Sequence, residues 1–446
     1  MWTVAQLNAD LAAGRTTSRA LVEQALAKIA EPGGEGARAF LKVYADSARA
    51  EADHCDRLRK AGVRRSAIDG LPVSLKDLFD VAGDVTRAGS KVYEQRAAED
   101  ASAVARLRAA GAIFIGRTNM VEFAFGGVGL NPHYGTPKNP WDRQAGRVPG
   151  GSSSGAAVAQ ADGMCVMALG SDTRGSIRMP AALCGIAGFK PTARRVPREG
   201  AFPLSFTLDS VGPLASSIVC CGAYDAVLAG EPDASLTTFG VPGLRLLLPK
   251  SSALEDLDPQ VAKAFFGSVE KLRAAGAVVS EVAVPAFDRQ SEYFKGGGLA
   301  GAEVVAIHKP LASRLAEYDP RVGKRIALGT SLSGADYVAL LELRAAFMRE
   351  VGALAAPYDA IVMPTTPCVA PTIAEASASD DDYFRWNLRI MRNTGLANFL
   401  DGCAATLPCH APGSAPVGFM VCGTAGRDRH VLAVAAAIER AFAAAR

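Results

Sequence analysis

A chain of 446 residues, 49% apolar and 21% charged, can bury a sizeable core as one large α/β domain or two ordinary ones, which excludes a disordered or fibrous protein. Its formal net charge of +3 is small for this length and comes without a block of like charges, so neither nucleic acid nor acidic membrane is expected as a partner. No apolar run approaches the roughly 18 residues of a membrane span, and MWTVAQLNADLAAGR at the start has acid and polar residues where a signal peptide needs an apolar stretch, so a cytoplasmic protein is expected.

In chain order, Leu7 and Leu11 mark a first helical stretch. Thr16, Thr17 and Ser18 then supply an N-cap before Leu21, Val22, Ala25, Leu26 and Ile29 at helical spacing. EPGGEG breaks the pattern, and a second helix is expected from about Asp46 to Ala61, closed by Gly62. From Leu71 the pattern changes: LPVSL reads as a short strand with Lys76 and Asp77 directly after it. SAVARLRAAG and AIFIG read as helix then strand. Residues 119–142 form a Gly-, Pro- and Asn-rich loop of the kind that builds a pocket, with His133 in it as a hydrogen-bonding residue.

The stretch from Val148 to Pro191 holds two small-residue loops that present serines among glycines. Gly150 and Gly151 allow a tight turn and Gly155 opens an Ala-rich helix, which places the serines of the first loop near helix N–H groups. MCVMALG reads as a buried strand, and SDTRGSIR after it exposes serines at the strand's mouth. Taken singly, either loop could be a solvated linker. Residues 193–215 look irregular and Pro-rich, and a helical run follows to about Gly230. LRLLLP, a helix over about 258–275 closed by Gly276, and AVVSEVAV make a βαβ pattern. Residues 290–355 are mostly helical, YDAIVMPT and VGFMVCG are strands, and an amphipathic helix over 428–445 closes the chain. This alternation predicts an α/β fold: a large mixed, mostly parallel twisted sheet covered by helices on both faces.

The nine cysteines (Cys55, Cys165, Cys184, Cys220, Cys221, Cys368, Cys403, Cys409 and Cys422) lie mostly in apolar contexts without a CxxC spacing, which predicts reduced core thiols. The five histidines are scattered, and no metal or cofactor is called for.

A serine hydroxyl needs a base and a site for the oxyanion before it becomes a useful nucleophile. One arrangement makes GSSSG at 151–155 a nucleophile elbow around Ser153, with a downstream acid and histidine. Only His308, His410 and His430 follow it, none in a recognisable active-site loop. The other combines serines from both loops with Lys76. Here LPVSLKDLFDVAG (71–83), GRVPGGSSSGAAVA (146–159) and LGSDTRGSIRMPAALCGIAGFKPT (169–192), with MPTTPCVAPTI and PVGFMVCG in the tail, resemble the ordered motifs of the amidase signature family of serine hydrolases. The resemblance covers most of the chain from about residue 60.

That resemblance implies a Ser-cisSer-Lys triad: Ser176 as nucleophile, Ser152 as bridging serine behind a cis Gly151–Ser152 bond, and Lys76 as base. It also implies an oxyanion hole made by the backbone N–H groups of Thr173, Arg174, Gly175 and Ser176, and an acyl side lined by Ala124, Phe125, Gly126 and Gly127. Phe125 suits an apolar group, and core packing accounts for it equally well. Lys76 must be neutral part of the time, and moving its pKa from about 10.4 toward 7 costs its charged form about 4 to 5 kcal/mol, which burial can supply. Asp172 and Arg178 flank the loop and either fix its shape or pair on the surface. Two residues depart from the family pattern. Arg174 stands where a small residue is common, and its side chain is expected to point away from the oxyanion site. Ala193-Arg194-Arg195 replaces the usual Tyr-Gly-Arg and is expected to alter a neighbouring wall.

The resemblance implies one amidase signature domain over 1–446: a helical segment (1–60), the catalytic motifs (61–240), and a second half (241–446) that completes the sheet and the pocket. The activity implied is hydrolysis of a carboxamide, anilide or carbamate C–N bond, with esters as a further class, through an acyl-enzyme. The implied partners are a small-molecule substrate and water, and the chain is expected to be a monomer or homodimer. The family also includes the transamidating subunit of an aminoacyl-tRNA amidotransferase, which the modest net charge and the altered segment after Lys190 disfavour. A catalytically dead binding scaffold would need a broken triad, and this one is intact.

Overall fold

The computed structural model describes residues 2–232 and 235–444. In chain order its strands are β1 (Phe40–Val43), β2 (Pro72–Lys76), a small ribbon of β3 (Val85–Thr86) and β4 (Gln95–Arg96), β5 (Ile113–Thr118), β6 (Met167–Asp172), β7 (Ala187–Lys190), β8 (Ser210–Ala215), β9 (Arg245–Lys250), β10 (Val278–Ala283), β11 (Ala360–Pro364), β12 (Cys403–Pro408) and β13 (Gly418–Gly423). All but the ribbon join one sheet of 11 strands in the order β1-β5-β2-β6-β8-β7-β12-β13-β11-β9-β10. β2 pairs in parallel with β5 and β6, and β9 with β10 and β11, whereas the pairings from β6 through β8, β7, β12 and β13 to β11 are antiparallel, as is β1 with β5. The sheet is therefore mixed, with its parallel pairs gathered toward the two ends and fewer of them than the helix–strand alternation suggested.

The strands are apolar on both faces, and their period of two sorts side chains into separate cores. Met167, Leu169, Leu246, Leu248, Val362, Ala405 and Val421 face one core, roofed by helices Ser102–Ala109, Ile218–Ala229, Pro259–Ala274 and Asp428–Ala444. On the opposite face, Ala168, Ile113 and Ile115 pack under helices Ser18–Ile29, Ala45–Lys60 and Ser154–Ala161. Leu247, Ile361, Met363 and Met420 pack under Gly334–Ala355 and Thr394–Phe399. Each fully buried aliphatic side chain contributes about 1.5–3 kcal/mol, so the two layers hold the sheet from both sides. The N-terminal helices form as their caps dictate: the Thr17 side chain accepts from Ala20 N at 3.0 Å at the head of Ser18–Ile29.

Two strands escaped the sequence reading. β8 lies in the stretch read as irregular because Gly212 and Pro213 argue against a central strand. A Cβ at Gly212 would meet the Phe189 carbonyl oxygen at 2.3 Å, so only glycine allows β7 to come this close. β12 is short and begins beside Gly402, with little β-branched character to announce it. The nine cysteines are unbridged, and all but Cys409 are buried. Among the described residues no single helix is long and apolar enough to cross a membrane.

Candidate active site

Parallel pairing of β2 with β6, in a register that sets Leu75 against Leu169, brings the carboxyl ends of both strands to one edge of the sheet. Lys76 closes β2, and Ser171 and Asp172 close β6. Lys76 is fully buried, and its Nζ donates to Ser152 Oγ at 2.8 Å and to Ser171 Oγ at 2.9 Å. No carboxylate lies within ion-pair distance of it among the described residues. Burial pushes this ammonium down to about 7, against the weaker pull of Asp172 and Asp209. A substantial fraction is then the free amine at neutral pH, next to a hydroxyl that can give it a proton.

Ser152 is fixed by its backbone. The Gly151–Ser152 bond is cis, as the resemblance implied. Gly151 N donates to Gly127 O at 2.8 Å, and the Ser152 carbonyl accepts from Val121 N at 3.0 Å. A Cβ on Gly151 would lie 2.9 Å from the Gly129 backbone, so this crossing admits only glycine. Helix Ser154–Ala161 starts directly afterwards, as the Ala-rich segment predicted. Ser153 N donates to Ser176 O at 3.3 Å, which ties the two serine loops together. No hydrogen bond joins Ser152 Oγ to Ser176 Oγ among the described residues, an arrangement that a bound substrate can tighten.

The Ser176 loop is organised by Asp172, which settles the role of its pair with Arg178 in favour of loop shape. Its carboxylate accepts from Gly175 N at 2.7 Å, Ile177 N at 3.1 Å, Asn398 Nδ2 at 2.9 Å, and Arg178 Nη2 at 2.9 Å. Burial alone would raise the Asp172 carboxyl, but the charge and hydrogen bonds of Arg178, with Lys190 and Asn398, hold it down to about 2. Because Gly175 N is committed to Asp172, it cannot also face an oxyanion, which corrects one of the four donors expected. The N–H groups of Thr173, Arg174 and Ser176 have no protein acceptor among the described residues. They can stabilise a developing oxyanion at the mouth of β6.

Ser176, 5% exposed, opens into a cavity of about 20 Å³ that is also lined by Ala124, Phe125, Gly126, Thr173 and Arg174. Phe123 and Ala124 hold φ of 51° and 59°, left-handed values that non-glycine residues adopt at a cost of order 1–3 kcal/mol and that cluster at functional sites. Gly127, the fourth residue expected here, does not line the cavity: its N–H donates to Asn387 Oδ1 at 2.7 Å, and its carbonyl holds Gly151. Arg174 also departs from expectation. Its side chain lines the cavity wall with its guanidinium 3.6 Å above the Phe294 ring, because that aromatic face and Gly395 leave a slot for it. The Ala193–Arg195 segment lies elsewhere, with Arg195 paired to Asp225 and Glu231 at 2.8 and 2.7 Å, so it forms no wall of this cavity.

Sequence reasoning missed Ser171, the second acceptor of Lys76, whose signal was its place just before Asp172 at the strand mouth. It also missed Arg325 and Met391, which reach the cavity from helices far along the chain with no local signature. The elbow arrangement finds no support. Ser153 is buried, its Oγ meets only the Ser171 carbonyl at 3.5 Å, and His308 sits against Phe123 with its Nδ1 2.9 Å from Tyr318 Oη. A larger surface cleft of about 460 Å³, lined by Gln260, Lys263 and His410, does not reach Lys76 or the serines. Among the described residues no group of His, Cys, Asp or Glu could hold a metal ion.

Comparison with known proteins agrees with this geometry. The profile of the family described as Amidase matches residues 20–432. A 2-amino-5-chloromuconic acid deaminase from Comamonas testosteroni is 36% identical over 403 residues, covering 88% of this chain and 86% of that protein. One glutamyl-tRNA(Gln) amidotransferase subunit, from a Synechococcus species, is 33% identical over 98% of this chain and 96% of its own length. A crystal structure described as an amidase superposes with a TM-score of 0.88 at 34% identity, covering 98% of this chain and 99% of that one. With its motifs in order, its mixed sheet matched and nearly its whole length covered, the chain belongs to the amidase signature family.

Proposed function

We propose that the protein is an amidase that hydrolyses a carboxamide, anilide or carbamate C–N bond, with esters as a further class, through an acyl-enzyme on Ser176. The observation that carries this reading is the sealed Lys76 amine, 2.8 Å from the Ser152 hydroxyl, behind the loop that presents Ser176 to a cavity. Neutral Lys76 takes the proton of Ser152, which takes that of Ser176 as its Oγ attacks the carbonyl carbon. The oxyanion forms against the N–H groups of Thr173, Arg174 and Ser176, each worth about 2.7–4 kcal/mol of barrier. Collapse breaks the C–N bond, and the relay returns the proton to the departing amine. Water then adds to the acyl carbon, gives a proton to the same relay, and releases the acid as Ser176 recovers its hydrogen. Nothing in these steps calls for a cofactor or metal.

The decisive experiment offers purified protein a panel of amides, anilides, carbamates and esters and weighs the trapped adduct. Ser176→Ala should lose turnover by about 10⁴-fold or more and form no acyl or fluorophosphonate adduct, while Ser153→Ala should stay within a few-fold of wild type. Equal loss from both would restore the elbow around Ser153.

The similarity to an amidotransferase component over 98% of the chain favours one second reading, a transamidating subunit that takes ammonia from a partner. A purified chain that turns over a simple anilide unaided speaks for the hydrolase. A chain that releases ammonia from an amide only when a partner and charged tRNA are supplied speaks for the transferase.

A further inference from the structure

Buried arginines in this fold are neutralised by carboxylates: Arg117 by Asp77 at 2.7 Å, and Arg178 by Asp172 at 2.9 Å. The two arginines at the Ser176 cavity are exceptions. Arg174 and Arg325 both line it, and neither has a carboxylate within ion-pair distance among the described residues. Arg174 Nε is sealed from solvent with no acceptor, and its guanidinium rests only on the Phe294 ring. Arg325 lies 4.0 Å from the Phe125 ring and donates through Nη1 to the Phe125 carbonyl at 2.7 Å, which leaves the rest of its planar fork unused. The nearby acids are already engaged elsewhere. Asp209 accepts from Thr173 Oγ1, Leu204 N and Ser205 N, and Glu303 from Ser205 Oγ, Thr207 N and Tyr337 Oη.

Two like charges facing one closed cavity repel each other. Burial, with Arg325 beside it, pushes Arg174 down to about 9, and burial pushes Arg325 down as well, so both remain cationic at neutral pH yet are held at a cost. An anion in the cavity removes that cost. A guanidinium fork matches a carboxylate in charge and geometry, and the aromatic faces of Phe294 and Phe125 already hold both forks in place. With about 20 Å³ shared between the guanidinium groups and Ser176, the anion must be small and close to the reacting carbonyl.

We propose that Arg174 and Arg325 form a carboxylate-binding subsite, and that the substrate is a compact acidic amide whose carboxylate lies a few bonds from the carbonyl attacked by Ser176. This rests on the amidase reading above and narrows its substrate class; both arginines are specificity-determining residues. The contact is binding only, and the chemistry stays with the serines and Lys76.

The test gives the purified full chain the monoamides of malonic, succinic, glutaric and adipic acids, each beside the neutral monoamide of the same length. At least one acid should exceed its neutral partner in kcat/KM by about 100-fold. Arg174→Gln and Arg325→Gln should each reduce that ratio by about 10-fold or more. A second measurement needs no turnover: the free dicarboxylates should slow fluorophosphonate labelling of wild-type Ser176, the matching neutral diamides should not, and Arg325→Gln should lose the protection. Neutral amides turned over as well as the acids, or labelling that proceeds unprotected by all four dicarboxylates, overturns the carboxylate subsite and leaves the amidase reading in place. Absence of both labelling and turnover overturns the amidase reading, and the substrate subsite with it.

Discussion

Lys76 at the end of β2 and Lys190 at the end of β7 are both buried and both depressed below the usual lysine range by that burial. Their partners differ. Lys190 Nζ donates to the carbonyls of Pro191 and Gly402, each at 2.7 Å, whereas Lys76 donates to the hydroxyls of Ser152 and Ser171. A carbonyl oxygen can only accept, so Lys190 serves as a clamp between two backbone segments. A hydroxyl accepts from an ammonium and donates to an amine, so the contact between Lys76 and Ser152 can reverse and carry a proton. Burial makes a neutral amine available at both places, and the chemistry of the partner decides which one can act as a base.

Replacing each lysine by methionine should separate the two roles, and this is the largest effect expected. Lys76→Met should lose about 10³-fold or more in kcat while melting at the wild-type temperature or higher, because a buried charge gives way to an apolar chain of similar volume. Lys190→Met should do the reverse: it leaves two buried carbonyls unpaired at about 1–3 kcal/mol each, lowers Tm by several degrees, and keeps kcat within a few-fold. Paired kinetics and calorimetry check this, and equal behaviour of the two variants would erase the distinction.

A smaller effect follows from linkage. The folded Lys76 has its pKa at about 7, below the ordinary lysine value near 10.4, so the unfolded chain binds more protons between those limits. Stability contributed here is complete above about pH 10 and is lost as pH falls toward 7, below which it changes no further. Denaturant melts across that window should show a steeper rise with pH in wild type than in Lys76→Met.

The smallest effect sharpens the comparison from the hydroxyl side. Ser171→Ala removes one acceptor from the Lys76 ammonium and should move the midpoint of the kcat/KM pH profile below that of wild type, with the plateau rate within about 10-fold. A midpoint displaced upward would mean that Ser171 favours the free amine instead.

The parts of this site that could be read in the sequence are those whose signals are local. The glycines and serines of 150–155 and 170–176 announce loops at a strand's mouth, and Lys76 ends an apolar run, so the triad and the layered fold were visible. What stayed hidden depends on packing across long separations. Gly175 N is captured by Asp172, Gly127 props up Gly151, and Arg325 arrives from helix Pro320–Gly329 roughly 150 residues beyond Ser176. Arg174 was expected to turn outward because the slot beside Phe294 and Gly395 exists only once those distant segments assemble. β8 was missed for a related reason, since Gly212 and Pro213 look like turn residues until β7 presses against them.

The most direct test follows covalent labelling of Ser176 by a fluorophosphonate, read by intact mass between pH 5.5 and 9, in wild type and in Lys76→Met. Wild-type labelling should rise by about tenfold per pH unit below 7 and level off above it, while Lys76→Met should label slowly and without that rise. An identical pH profile in both proteins, or an adduct on Ser153, would contradict a lysine-driven Ser176 nucleophile.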